Sequence, residues 1–212
     1  MESVVDYSFW RDKKVLITGH TGFKGAWLAQ WLKFLGSTVM GISLEPKNDK
    51  DFFNVCNVSN GIQHNIFNIK DSGNLKEFFS TNKPEIVFHL AAQSLVKESY
   101  DYPSETFETN IMGTVNVCDN VINSNYVKSF VNITSDKCYS DDNNIEGYCE
   151  EDRLGGYDPY SSSKACSELI TASYRNISKN GNKQGIASAR AGNVIGGGDW
   201  NENRLFPDII KS

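Results

Sequence analysis

The chain has 212 residues, 39% hydrophobic and 22% charged, with a formal net charge of -5. That length and apolar content can bury a core of one large domain and carry no disorder signature, while the acidic balance excludes general attraction to nucleic acid or anionic membrane and favours a small-molecule partner. The N-terminal Met-Glu-Ser-Val-Val-Asp-Tyr is acidic where a signal peptide is basic and apolar, and no apolar run is long enough to span a bilayer, so a cytoplasmic protein is expected.

In chain order, residues 1–12 with Phe9 and Trp10 read as a lead-in that packs on the first strand. Val15, Leu16 and Ile17 then form a short β-branched apolar run that meets the glycines Gly19, Gly22 and Gly25. Gly19 suits a tight turn, Gly22 lets backbone approach a pyrophosphate, and Gly25 allows close packing of strand and helix. Thr21, Phe23 and Lys24 complete this expected cofactor turn. Ala26, Leu28, Ala29, Trp31, Leu32 and Leu35 give the following helix a broad apolar face before Gly36 ends it, and its N-terminus is expected to hold the phosphates.

Thr38–Leu44 reads as a second strand. Ser43 stands where dinucleotide folds usually carry a ribose-binding acid, while Glu45 suits a ribose and Lys47 a 2′-phosphate. NAD and NADP both remain open on these residues, with NAD favoured. A third strand is predicted over Ile62–Ile69, with Asn68 and Ile69 at its cofactor end, then a helix over Asp71–Ser80 and a fourth strand over Pro84–Leu90. Leu90, Ala91, Ala92 and Gln93 follow, small enough to let a cofactor lie close. Phe107, Ile111, Val115, Cys118 and Ile122 recur at helical spacing between about Ser104 and Asn125. Asn110 lies among them on the cofactor side, in an expected scaffolding role. Phe130–Thr134, Tyr160–Ser178 and Gly185–Arg190 complete the alternation. It predicts an α/β fold, a Rossmann-type doubly wound parallel sheet with helices on both faces. Residues 1–190 form the expected NAD(P)-binding domain and residues 191–212 the start of a substrate-binding region.

Tyr160 and Lys164 are one helical turn apart and share a face. A phenol near pKa 10 is a poor base at neutral pH, but an ammonium beside it and the charge of an oxidised nicotinamide would stabilise the phenolate. Ser135, or Thr134 after a one-residue slip, would place a hydroxyl beside the substrate oxygen. Asp136 and Lys137 add an acid and a base, suited to a further proton transfer at a neighbouring carbon. Five cysteines without a C-x-x-C pair and three histidines far apart in sequence predict neither a disulfide framework nor a metal site.

The glycine spacing resembles the extended short-chain dehydrogenase/reductase superfamily. With His-Leu-Ala-Ala-Gln, Thr-Ser-Asp-Lys-Cys-Tyr, Pro-Tyr-Ser-Ser-Ser-Lys and Ala-Arg-Ala-Gly-Asn-Val-Ile-Gly-Gly-Gly-Asp-Trp, the chain is similar along its whole length to the CDP-glucose 4,6-dehydratase family. Lys137 in place of the glutamate of dTDP-glucose dehydratases, and the glycine-rich Arg190 to Trp200 segment, point to the CDP-glucose type. The resemblance implies NAD as cofactor, CDP-glucose as substrate, and a lyase reaction giving CDP-4-keto-6-deoxy-glucose. It casts Tyr160 as base at the sugar 4-hydroxyl, Lys137 as base at C5 and Asp136 as acid at the 6-hydroxyl. Burial and the Lys164 cation are expected to favour the neutral form of Lys137. Gln93, Ser135, Asn193 and Arg204 are the implied substrate contacts. A homodimer and a place in lipopolysaccharide O-antigen sugar synthesis are further implied. Family members continue past Ser212, so most of the small C-terminal substrate domain is expected to be absent. The alternatives are a nucleotide-sugar epimerase and a non-catalytic NAD-binding fragment.

Overall fold

A computed structural model describes residues 6–140, 147–180, 184–200 and 204–211. A short helix α1 (Tyr7–Trp10), capped by the Asp6 carboxylate, leads into β1 (Lys14–Thr18). There follow α2 (Phe23–Phe34), β2 (Thr38–Ser43), α3 (Phe52–Val55), β3 (Gln63–Ile66), α4 (Ser72–Asn82) and β4 (Ile86–His89). After β4 come α5 (Val96–Asp101), α6 (Pro103–Phe107), a π-helical turn over Glu108–Met112, and α7 (Gly113–Ile122). β5 (Ser129–Ile133), a 3₁₀ turn over Asp136–Cys138, α8 (Pro159–Asn180), β6 (Gly185–Ala189) and α9 (Leu205–Lys211) complete the described elements.

The strands form one parallel sheet in the order β3-β2-β1-β4-β5-β6. The order reverses between β1 and β4, where neighbouring crossovers go to opposite faces and leave a crevice beyond the strand ends. β1 sits beside that switch point and is covered on both sides, which is why Val15, Leu16 and Ile17 form an unbroken apolar run. Successive side chains point to opposite faces. Leu16 joins Met40, Ile42, Val87 and Phe130 under Leu75, Phe78 and Phe79 of α4 and Val117 and Val121 of α7. Val15 and Ile17 join Val39 and Ile86 under Ala26, Ala29 and Leu32 of α2 and Phe52 and Phe53 of α3. Full burial of each of the larger side chains among these, the alanines excepted, stabilises by about 1.5–3 kcal/mol.

Trp10 packs against the core as expected, its ring 6.3 Å from Phe88, whereas Phe9 is half exposed. The third strand is shorter than predicted, ending at Ile66, because the chain then turns through Asn68, whose side chain accepts from the Lys70 amide. The helix predicted over 104–125 starts at Pro103 and is interrupted by the π turn, which carries Asn110. Helix α3, α5 and the 3₁₀ turn lay outside the sequence expectation, being too short to show a period.

Candidate functional site

The glycine turn is built as its spacing requires. Gly19 takes φ +80°, and a Cβ there would lie 2.7 Å from the Ala91 nitrogen at the end of β4. A Cβ on Gly25 would run into the Gly19 carbonyl. Gly22 caps α2 in extended conformation without a side-chain partner, leaving the first-turn N–H groups of α2 without intrahelical acceptors. The Thr21 hydroxyl donates to the Leu44 carbonyl at 2.9 Å and pairs with Ser43 Oγ at 2.7 Å, fastening the turn to the end of β2.

A cavity of about 740 Å³ opens over this turn, within the range of small-molecule sites. Its wall includes Gly19, Thr21, Gly22, Phe23, Lys24, Gly25, Ser43, Asn68, Ile69, Leu90, Ala91, Ala92 and Gln93. The same wall carries Ser135, Lys137, Tyr160, Asn193 and Arg204, so residues from widely separated parts of the sequence converge. Glu45 and Lys47 also line it.

Three predicted residues stand off the wall. Asn110 is buried, accepting from the Gln93 amide at 2.8 Å and donating to the Gln93 carbonyl at 3.0 Å and Ser163 Oγ at 2.8 Å. It shapes the wall by clamping the loop after β4. Lys164 lies behind Tyr160, its Nζ 5.9 Å from the Tyr160 ring centroid and 3.5 Å from the Ile133 carbonyl. Asp136 accepts from Ser135 Oγ at 3.0 Å and is exposed. Gln93 lines the cavity, but its amide is already engaged by Leu95 and Thr106.

Ser135 caps the 3₁₀ turn, its Oγ accepting from the Lys137 amide at 3.2 Å. That places the Ser135 hydroxyl beside the Tyr160 phenol. The Tyr160 pKa is nonetheless raised from its ordinary value, chiefly because the ring is buried. The Ser135 hydrogen bond and the Arg204 cation oppose the rise. The expected stabilisation of the phenolate counts the nicotinamide charge beside that of Lys164, and within the protein alone burial outweighs the favourable contacts. Lys164 is itself pushed down to about 8, by burial and then by the Lys24 cation, with Glu168 opposing. Lys24 is lowered likewise by burial and by Arg204. These cations weaken one another, so an anion placed between Lys24, Lys164 and Arg204 would be stabilised. Lys137 is exposed, and the burial expected to neutralise it is not supplied by the described residues.

Two features were missed in the sequence. His89 is buried, with Nδ1 2.7 Å from Thr18 Oγ1 and Nε2 3.1 Å from Thr114 Oγ1. Because the Thr114 hydroxyl donates to the Asn110 carbonyl at 2.7 Å, its oxygen accepts from Nε2–H, and the unprotonated Nδ1 accepts from the Thr18 hydroxyl. His20 and His64, far apart in sequence, meet at 2.6 Å. The His20 ring lies where a Cβ on Gly41 would be. A glycine in mid-strand was the available signal.

The residues fit a dinucleotide. Gly19 and Gly25 let the turn pack tightly on the end of β4 and on α2, which brings the α2 N-terminus to the cavity wall, and Lys24, Lys164 and Arg204 supply positive charge.

A family model described as GDP-mannose 4,6 dehydratase matches residues 16–195. A CDP-glucose 4,6-dehydratase of Salmonella typhimurium is 46% identical over 99% of this chain and 60% of its own length. A dTDP-D-glucose 4,6-dehydratase of Dictyostelium discoideum is 31% identical over 94% of this chain and 48% of its own. A solved UDP-glucose 4-epimerase of Thermotoga maritima with UDP-glucose superposes with TM-score 0.68 at 26% identity, over 76% of this chain and 51% of its own. The dTDP-glucose 4,6-dehydratase DesIV of Streptomyces venezuelae, with NAD and DAU bound, shares the fold, with TM-score 0.79 at 22% identity over 93% and 61%. The chain thus spans about half to three fifths of the length of these relatives.

Proposed function

Because the chain belongs to the GDP-mannose 4,6-dehydratase family, we propose that it acts as an NAD-dependent 4,6-dehydratase of a nucleotide sugar, with CDP-glucose as substrate. The observation that carries the reading is the shared wall: the glycine turn faces the same cavity as Ser135, Lys137 and Tyr160. The choice of CDP-glucose rests on the Salmonella relative, whose name states that substrate.

In this reading the Ser135 hydroxyl orients the sugar 4-oxygen and Tyr160 takes its proton. NAD, when bound, supplies the acceptor for the C4 hydride and the donor for C6. Tyr160 gives up its own proton only with further positive charge beside it, since burial favours the neutral phenol. Lys164 and Arg204 supply part of that charge. The C4 ketone acidifies the C5 proton, which Lys137 removes while Asp136 protonates the departing 6-hydroxyl. Water leaves, and Lys137 returns a proton to C5 as hydride reaches C6. Because Lys137 is exposed, bound sugar has to desolvate it. Residues 1–190 hold the cofactor in this scheme, and residues 191–212 open the substrate region.

A 4-epimerase would also use Tyr160 and Lys164, and the Thermotoga structure bears that name. The Asp136 and Lys137 pair beside Ser135 favours dehydration. We further propose a cytoplasmic homodimer joined through α6, α7 and α8, where Met112, Leu169 and Ile177 are more than half exposed. Its product would serve cell-surface polysaccharide synthesis, including O-antigen.

The test is incubation with CDP-glucose and NAD, followed by the alkali-induced absorbance of a 4-keto-6-deoxy sugar. Product that disappears in Tyr160→Phe supports the dehydratase. Bound NAD without product leaves a cofactor-binding protein, and a 4-epimerised sugar identifies an epimerase.

A further inference from the structure

Helix α8 carries a buried carboxylate one turn beyond Lys164 that the proposed reaction does not use. Glu168 is 4% exposed, and its two oxygens receive donors from three places in the sheet. Thr134, next to Ser135 at the end of β5, donates to Oε1 through a short hydrogen bond. Ser188 of β6 donates to Oε2 at 2.7 Å, and Arg190, just after β6, donates to Oε2 at 3.0 Å. The Arg190 guanidinium is held in turn by the Tyr139 hydroxyl at 2.9 Å and the Glu150 carbonyl at 3.0 Å.

We propose that Glu168 is the positioning residue of the site: by binding Thr134, Ser188 and Arg190 it fixes α8 against the ends of β5 and β6, and it holds its carboxylate one helical turn from Lys164. The proposal rests on reading Tyr160 and Lys164 as the working pair.

The geometry explains why a carboxylate is needed there. Rotation of α8 by a fraction of a turn would carry Tyr160 away from Ser135, and the small residues of its buried face resist this weakly by packing. Around Glu168, Ser161, Ser163, Ala165 and Ser167 of α8 are buried, small and mostly polar. Directional bonds from the ends of two strands to Glu168 set the rotation, together with those from Asn110 to Ser163 and from Asn132 to Ser167 and Thr171.

The charge also matters. Lys164 is buried and is faced by Lys24 from α2, His89 at the end of β4, Cys138 of the 3₁₀ turn and Tyr160 on its own helix. Lys24 disfavours its charged form, whereas Glu168 and Cys138 favour it, Glu168 more strongly. Glu168 faces Arg190, Thr134, Ser188 and Cys138. Its charge is therefore shared between Arg190 and Lys164.

The experiment is a titration of the Lys164 ammonium by NMR of lysine-labelled protein, with the resonance assigned from Lys164→Met. In the unmodified chain the midpoint is expected near 8. Glu168→Gln keeps an oxygen for Thr134 or Ser188 but removes the charge, and the midpoint should fall by about one pH unit. Arg190→Met leaves Glu168 unshared, and the midpoint should rise. A role in packing alone moves neither midpoint, or moves both in the same direction, and either result overturns the proposal. Should Glu168→Gln fail to fold, Arg190→Met decides by sign, an unchanged or lower midpoint being the refutation. The readout needs neither NAD nor sugar, so absence of dehydratase activity does not touch it.

Discussion

Replacing Asn110 by leucine isolates the contribution of one buried amide to the cavity wall. Its three side-chain hydrogen bonds, at 2.8, 3.0 and 2.8 Å, go to the Gln93 amide, the Gln93 carbonyl and Ser163. Asn110→Leu keeps the volume close to native and deletes all three. A net contribution of about 1 kcal/mol per bond gives about 3 kcal/mol, and an unpaired Gln93 N–H adds roughly 1 kcal/mol more. Ser163 Oγ loses least, because it still donates to the Tyr160 carbonyl at 2.7 Å. For a chain of this length such a loss lowers the melting temperature by about 8–16 °C. Urea unfolding of both proteins, followed by circular dichroism, gives the difference directly. NAD affinity, read by isothermal titration, should fall with it, because the Ala91 to Gln93 segment is no longer clamped. A loss below about 1 kcal/mol would show that water satisfies Gln93 as well as Asn110 does, and would refute the clamp.

Gly25→Ala places a methyl group into the Gly19 carbonyl; it is expected to cost about 2 kcal/mol or more by overpacking, and to abolish NAD binding in a protein that still unfolds cooperatively by calorimetry. The buried histidines predict acid sensitivity. Burial lowers His89 from 6.5 to about 3, and burial together with His64 lowers His20 from 6.5 to about 4. Each is neutral in the folded chain but takes up a proton on unfolding below 6.5, so stability is full above that pH and falls as the pH drops toward the folded values. The slope is at most about 1.4 kcal/mol per pH unit for each histidine. His89→Gln should remove one proton's share of that slope in urea midpoints measured between about pH 4.5 and 7, and an unchanged slope would contradict the buried neutral assignment.

The parts of this protein legible in its sequence are those whose partners are close in the chain. Val15 to Ile17, the three glycines and the apolar face of α2 follow one another directly, so strand, turn and helix could be read in order. Tyr160 and Lys164 share one helix, and their pairing needs only the helical period. The burial of successive strands alternating with helices was likewise enough to predict a parallel sheet.

The rest depended on register between distant segments. The meeting of His20 with His64 requires β2 to pair with β3 so that Gly41 lies opposite His64. The three donors to Glu168 come from the ends of β5 and β6, and no local pattern marks them as neighbours of α8. The π turn that carries Asn110 inward is invisible to a helical period that continues on either side of it. Even the rise in the Tyr160 pKa, against the direction its Lys164 partner suggests, comes from how deeply the assembled fold buries the ring. Sequence sets which groups are present and their local conformation. Long-range packing decides which charges meet, and how much water they lose when they do.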